Sequence, residues 1–155
     1  MNDPNPTPIG WTEYFQRVAR LTSLRSKDPS CRVGCVIVSP DKRIISTGYN
    51  GMVACKNNDT LFPWCKGEGI NNKKHFVVHA EVNAIINATA SLKNARMFCM
   101  RFPCCECAKL IAQSGIKIVY YEGDIDLDPN SEYCQLASRM MFDACGVKMK
   151  SLTIL

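Results

Sequence analysis

Trp11, Tyr14, Phe15, Val18, Leu21 and Leu24 recur at three- and four-residue spacing, the period of one face of an α-helix. The stripe predicts a helix opening at Trp11 that lays this face on the core. Arg25-Ser-Lys-Asp-Pro29 ends it and turns the chain. Residues 33–38 and 44–49 are short apolar runs rich in β-branched side chains, and Pro40-Asp41-Lys42 between them is turn chemistry, so they predict an antiparallel hairpin. Gly48-Tyr-Asn-Gly51 breaks the second strand. From Met52 to Lys74 no period survives among Asn, Asp, Gly, Pro and Trp. This predicts a long irregular loop, and such loops in a small domain usually carry function.

Downstream the pattern alternates. Residues 79–88 read as a helix, 96–100 as a strand, 104–114 as a helix stopped by Gly115, and 116–121 as a strand. Residues 132–145 read as a helix closed by Gly146, and 147–154 as a last strand. Alternation of this kind calls for the α/β class: a three-layer α/β/α sandwich around a mixed five-stranded sheet. No repeat or low-complexity linker divides the chain. Residues 1–10 are a loose polar lead-in, and residues 11–155 form one domain.

Composition narrows the function without fixing it. The 155 residues are 46% hydrophobic and 21% charged, enough to build a core. The net charge of +5 suits a phosphate-bearing ligand, but Lys and Arg are scattered, whereas a nucleic-acid surface shows as a stripe or tail. The N-terminal residues are polar and Pro-rich, unlike a secretory signal, and no apolar run is long enough for a membrane span. A reducing cytoplasm is the expected compartment. The ten cysteines there read as buried hydrophobes, metal ligands or catalytic groups in preference to a disulfide scaffold.

The chemistry concentrates in His79-Ala-Glu81 and Pro103-Cys-Cys-Glu-Cys107. Either motif alone is weak. Together, each opening a helix, they match the zinc deaminase signature H-x-E followed by P-C-x-x-C. Cys104 and Cys107 lie three apart and share a helix face, while Cys105 is turned away and is read as a packed neighbour. The positive end of a helix favours thiolate over thiol, and Pro103 is tolerated at a helix start. Three ligands (His79, Cys104, Cys107) leave one tetrahedral position of a single Zn2+ open, as a catalytic site requires. Zinc makes water acidic enough to attack C4 of cytosine near neutral pH. Glu81 would take the water proton, pass it to N3 and then protonate the departing amine. The backbone N–H near Ala80 would hold the base carbonyl. The competing reading is a closed structural zinc site with Cys99 or Cys105 as fourth ligand, which leaves Glu81 without a task.

Residues outside these motifs carry a closer resemblance. Arg25-Ser-Lys-Asp-Pro29, Val33-Gly34, Gly48-Tyr-Asn-Gly-Met52, Phe62-Pro-Trp64, His79-Ala-Glu-Val-Asn-Ala-Ile85 and Phe102-Pro-Cys-Cys-Glu-Cys-Ala-Lys-Leu110, running on to Gly115-Ile-Lys117, resemble the deoxycytidylate (dCMP) deaminases of the cytidine deaminase superfamily from about Trp11 to Leu155. The resemblance implies conversion of dCMP to dUMP in the supply of thymidylate, and a homo-oligomer, commonly a hexamer. It also implies activation by dCTP and inhibition by dTTP at a separate site. By resemblance, Asn50 would contact the sugar or an effector, and Gly48, Asn50 and Gly51 would lie near a nucleotide. Arg25 and Lys27 would contact phosphate.

Two departures stand out. Val53 follows Met52 where the family commonly has proline. Glu122-Gly-Asp-Ile-Asp-Leu-Asp128 occupies the place where many members carry a tyrosine. If that tyrosine clamps a monophosphate, the acidic run admits a triphosphate with Mg2+, and dCTP becomes a second substrate. His75, Cys31, Cys35, Cys55 and Cys65 fit no standard zinc knuckle spacing and are read as buried or idle. Two rival functions share the zinc motifs: a deaminase of tRNA or single-stranded DNA, which needs a basic aromatic track, and a non-catalytic nucleotide-binding regulator, which has no use for Glu81.

Overall fold

The computed structural model describes residues 6–123 and 129–153. Helix α1 (Trp11–Ser23) is followed by the strands β1 (Gly34–Val38) and β2 (Ile44–Tyr49), then by a two-residue strand β3 (Gly51–Met52). The long segment expected to be irregular contains the short helix α2 (Asn58–Leu61), a 3-10 turn at Lys73–His75 and a two-residue strand β4 (Val77–Val78), which pairs with β3. Then come α3 (Ala80–Ile86), β5 (Arg96–Cys99), α4 (Cys105–Gln113), β6 (Ile118–Tyr121), α5 (Pro129–Cys145) and β7 (Lys148–Ser151).

Five strands form one mixed sheet in the order β2-β1-β5-β6-β7. The β1–β2 and β1–β5 pairs are antiparallel; β5–β6 and β6–β7 are parallel, so helices must carry the crossovers. Strand β1 is buried along its whole length, and its alternation divides the core. Cys35 and Ile37 face the layer of α3, α4 and α5 with Ala80, Ala84, Met97, Ile111 and Phe142, whereas Val36 and Val38 face α1 with Phe15, Ala19 and Phe98. This is the α/β/α sandwich with a five-stranded mixed sheet that the alternation implied.

Helix α1 corrects the expectation for its apolar stripe. Trp11, Tyr14, Leu21 and Leu24 are exposed, and the buried face carries Phe15, Gln16, Ala19 and Ser23. The reason is close approach. A Cβ on Gly34 would sit 1.9 Å from the Ala19 carbonyl oxygen, so only small side chains fit between helix and β1. Phe15 enters beside the gap, with its ring 5.3 Å from that of Phe98. Gln16 is tolerated inside because its amide donates to the Thr153 carbonyl at 2.7 Å. Among the described residues, no helix is long and apolar enough to cross a membrane.

Candidate active site

Helices α3 and α4 begin beside each other under the sheet, and both start on a metal-binding residue type. His79 is the N-cap of α3 and Cys104 the N-cap of α4; both have extended backbone, and neither makes a side-chain cap hydrogen bond. Each side chain turns toward the other helix instead. His79 Nδ1 lies 3.4 Å from Cys104 Sγ and 3.4 Å from Cys107 Sγ. The three donors fall within 4.8 Å of one another, and among the described residues no other group of three or more His, Cys, Asp or Glu side chains converges in this way. Tetrahedral zinc with bonds of about 2.0–2.1 Å to nitrogen and 2.3 Å to sulfur places those donors about 3.5 Å apart, so the set fits the ion. Pro103 precedes the N-cap and is buried, so it lies just outside the helix start to which the sequence assigned it.

Electrostatics sharpen the fit. The hydrogen bond from Cys107, followed by that from His79, lowers Cys104 to about 4 against the opposing effect of burial. The Cys104 hydrogen bond is also the main cause raising His79 to about 9. Cys107 is pushed up, first by its hydrogen bond with Cys104 and then by burial. Near neutral pH the triad therefore holds one thiolate, one imidazolium and one thiol. Metal binding must displace two protons, from His79 and Cys107. With ordinary values the histidine would contribute its proton only below about pH 6.5, and the thiols theirs below about 8.5. We expect the logarithm of the zinc association constant to rise by about two per pH unit throughout pH 5–8. A break from a slope of about three to about two near pH 6.5, seen by competition with a zinc chelator, would show the histidine to be unpaired.

Glu81, in the first turn of α3, is buried at 5% exposure. Its Oε2 accepts from Cys107 Sγ at 3.7 Å. Burial, the largest cause, pushes its carboxyl pKa up, with the His79 charge opposing. Ala80 is the first residue of α3, where the backbone N–H has no acceptor within the helix. Cys105 and Cys99 stand outside the converging donors. The Cys105 sulfur lies against Cys134, and that of Cys99 against Cys35 at 3.7 Å.

The other predicted residues separate into three places. Gly48 is packed against α3. A Cβ there would meet the Ala80 carbonyl oxygen at 2.2 Å and the Ala84 backbone nitrogen at 2.3 Å. Ser46 Oγ donates to the Ala84 carbonyl at 2.7 Å, and Asn83 Nδ2 donates to the Tyr49 carbonyl at 2.8 Å. β2 thus clamps the helix that carries His79 and Glu81. Gly48→Ala should cost at least about 1–3 kcal/mol of stability through overpacking and weaken zinc retention, measured by thermal unfolding and metal analysis. A fully stable, zinc-replete variant would show that α3 can move without consequence.

Asn50 is buried in a polar network. Its Oδ1 accepts from the Val33 N–H at 2.8 Å, and its Nδ2 donates to the Cys31 carbonyl at 2.9 Å and to Asp28 at 3.2 Å. Asp28 is met by Lys73 Nζ at 2.6 and 2.7 Å. Neither Asp28 nor Lys73 was singled out from the sequence as a paired group. They are 45 residues apart, and no local period links them.

Arg25, Lys27 and Gly51 line a cavity of about 220 Å³ with Tyr49, Met52, Asn58, Asp59 and Trp64, and none of the metal donors lines it. Lys27 is paired there with Asp59. Within the acidic run, Glu122 is buried and gripped by Arg20 at 2.6 and 3.1 Å, so its carboxylate is already committed to α1. Residues 124–128 lie outside the described residues. Of the cysteines and histidine outside the triad, His75 Nε2 contacts the Gly69 carbonyl at 3.0 Å and Cys65 donates to the Asn71 carbonyl.

Known proteins match on both sequence and shape. The family described as the cytidine and deoxycytidylate deaminase zinc-binding region matches residues 9–122. The chain is 42% identical over 149 residues to deoxycytidylate deaminase of Mus musculus, covering 94% of this chain and 81% of that one. It is 41% identical over 145 residues to the deoxycytidylate deaminase of Homo sapiens, covering 92% and 79%. Among solved structures, the dCMP deaminase of cyanophage S-TIM5 in complex with dCMP and dUMP superimposes with a TM-score of 0.72 at 26% identity, covering 90% of this chain and 95% of that one.

Proposed function

The chain belongs to the cytidine and deoxycytidylate deaminase family, and on that premise we propose that it converts dCMP and water to dUMP and ammonia. The observation that carries this reading is the convergence of His79 Nδ1, Cys104 Sγ and Cys107 Sγ beside the buried carboxyl of Glu81. When bound by those three atoms, zinc supplies a Lewis acid that makes water acidic near neutral pH.

The remaining work falls to the chain's own groups. Glu81 takes a proton from water, delivers it to ring N3 and then protonates the departing amine. A carboxyl raised by burial is a stronger base than an ordinary one, so it takes the water proton more readily and holds it for delivery. In this reading the Ala80 N–H, at the positive end of α3, donates to the base carbonyl.

Regulation by dCTP as activator and dTTP as inhibitor belongs to the cavity of Arg25, Lys27, Tyr49, Gly51 and Trp64, in this reading. It offers cations for phosphates and aromatic faces for a base. Asn50 supports it from beneath by holding the loop backbone. The exposed Trp11, Tyr14, Leu21 and Leu24 on α1, and Tyr133, Leu136 and Met140 on α5, are apolar surface of the kind a homo-oligomer, here a hexamer, covers. A dCTP-deaminating activity with Mg2+ would have to rest on residues other than Glu122, which Arg20 holds.

The test is ammonia release from dCMP, dCTP, deoxycytidine and a cytosine-containing oligonucleotide, with zinc-loaded protein. We expect turnover of dCMP, abolished by a zinc chelator and restored by zinc. Turnover of the oligonucleotide without turnover of dCMP would overturn the substrate assignment.

A further inference from the structure

The cysteine that the metal site leaves aside has a partner of its own. Cys105 is the first residue of α4, between the metal donors Cys104 and Cys107, and Cys134 lies in α5, which packs along α4. Their sulfurs are 2.7 Å apart. The contrast within the same molecule is Cys35 and Cys99, whose sulfurs sit 3.7 Å apart across β1 and β5. That is a packing contact between thiols, and both residues are buried beyond the reach of a reagent. Cys105 and Cys134 are a full ångström closer and only partly buried. A disulfide has a bond of about 2.05 Å, so a shift well under an ångström would close it.

A second contact fixes their orientation. The Cys105 backbone N–H donates to Cys134 Sγ at 2.9 Å. The first N–H groups of a helix lack partners within it, and an N-cap side chain usually serves them. In α4 the N-cap is Cys104, whose side chain is turned to His79 and makes no cap bond. Cys134 takes over that duty from α5, which holds its sulfur over the first turn of α4 and beside Cys105.

We propose that Cys105 and Cys134 are a reversible dithiol–disulfide site that ties the metal-binding turn of α4 to α5. The oxidant is a low-molecular-weight disulfide. One protein thiolate attacks it and expels one small thiol, leaving a mixed disulfide. The second protein thiolate attacks that bond and expels the other small thiol. The protein loses two protons and two electrons, and the small disulfide gains them as two thiols. Cys104 and Cys107 take no part, so the metal donors survive the oxidation. The new bond links residues 105 and 134 and encloses the intervening chain. Such cross-links stabilise by restricting the unfolded chain.

The test uses full-length, zinc-loaded protein equilibrated with oxidised glutathione, alkylated, digested and read by mass spectrometry. We expect one peptide pair joined through Cys105 and Cys134, an intact mass lower by about 2 Da, unchanged zinc content and a raised thermal midpoint. Dithiothreitol should reverse all of these. Cys105→Ser and Cys134→Ser should each lose the cross-link and the thermal shift, while Cys35→Ser keeps both. Oxidation that joins Cys104 or Cys107 first and expels zinc would overturn the proposal. So would glutathione stalled as a mixed disulfide on Cys105 or Cys134 without closure. None of these readouts depends on which nucleotide the enzyme accepts.

Discussion

Glu81→Gln is expected to keep fold and zinc and to lose at least about 10³-fold in turnover of dCMP, within the range a positioned proton-transfer group contributes. Glutamine is nearly isosteric with glutamate and still hydrogen-bonds, so the buried position (5% exposed) loses no volume and gains no cavity. It also removes a carboxyl whose charged form burial disfavours, so stability should hold or rise slightly. What it cannot do is accept a proton and return it to N3 and to the amine. The check has two parts: zinc per chain and thermal midpoint equal to the parent, and single-turnover deamination slowed by the stated factor. Parent-like turnover would remove Glu81 from the mechanism. Lost zinc would mean that the carboxyl supports the ligands, and would leave the proton role unproved by this variant.

Lys73→Met is the largest stability effect we expect, about 3 kcal/mol. The Lys73 and Asp28 side chains are 10% and 3% exposed, and the ammonium contacts both carboxylate oxygens. Removing one member leaves an uncompensated buried charge that cannot reach water. Burial alone would raise the Asp28 carboxyl. The Lys73 hydrogen bond, with the N–H groups of Ser30 and Cys31, outweighs burial and holds it below the usual carboxylate value. The sign follows from that depression. The stabilisation is fully present above the unfolded carboxylate range, near pH 4, and is lost as pH falls through the lower folded value. The penalty of Lys73→Met should therefore be greatest at neutral pH and shrink as pH falls and the stranded carboxyl takes a proton. Adding Asp28→Asn should restore part of the loss. Urea unfolding of the three variants against pH measures this, and a neutral-pH penalty under about 1 kcal/mol would place the pair in the weak class of surface bridges. Asp28 and Asn50 also brace the loop carrying Arg25 and Lys27, so the same variant should alter any effector response of that cavity.

The chemistry was readable in the chain because its carriers are local. His79 and Glu81 are two residues apart, and Cys104 and Cys107 three. Each pair needs only the geometry of one helix start to share a direction. The alternation of elements after residue 79 likewise implied the layered sheet, since parallel β5–β6 and β6–β7 pairs demand helical crossovers. What the residues could not reveal is which face of an element is covered. The large side chains of α1 follow a clean helical period, yet the sheet takes the small face, because Gly34 draws β1 against the Ala19 backbone. The same holds for Lys73 on Asp28, Arg20 on Glu122 and Cys134 on Cys105, partners 45, 102 and 29 residues apart. Sequence alone determined the candidate metal donors His79, Cys104 and Cys107 and the proposed proton carrier Glu81, whose spacing is set by the backbone of a single turn. Only the tertiary structure decided which buried charges are paired, which glycines bear the packing and which cysteine sits beside another, because those depend on distances between elements that no local period encodes.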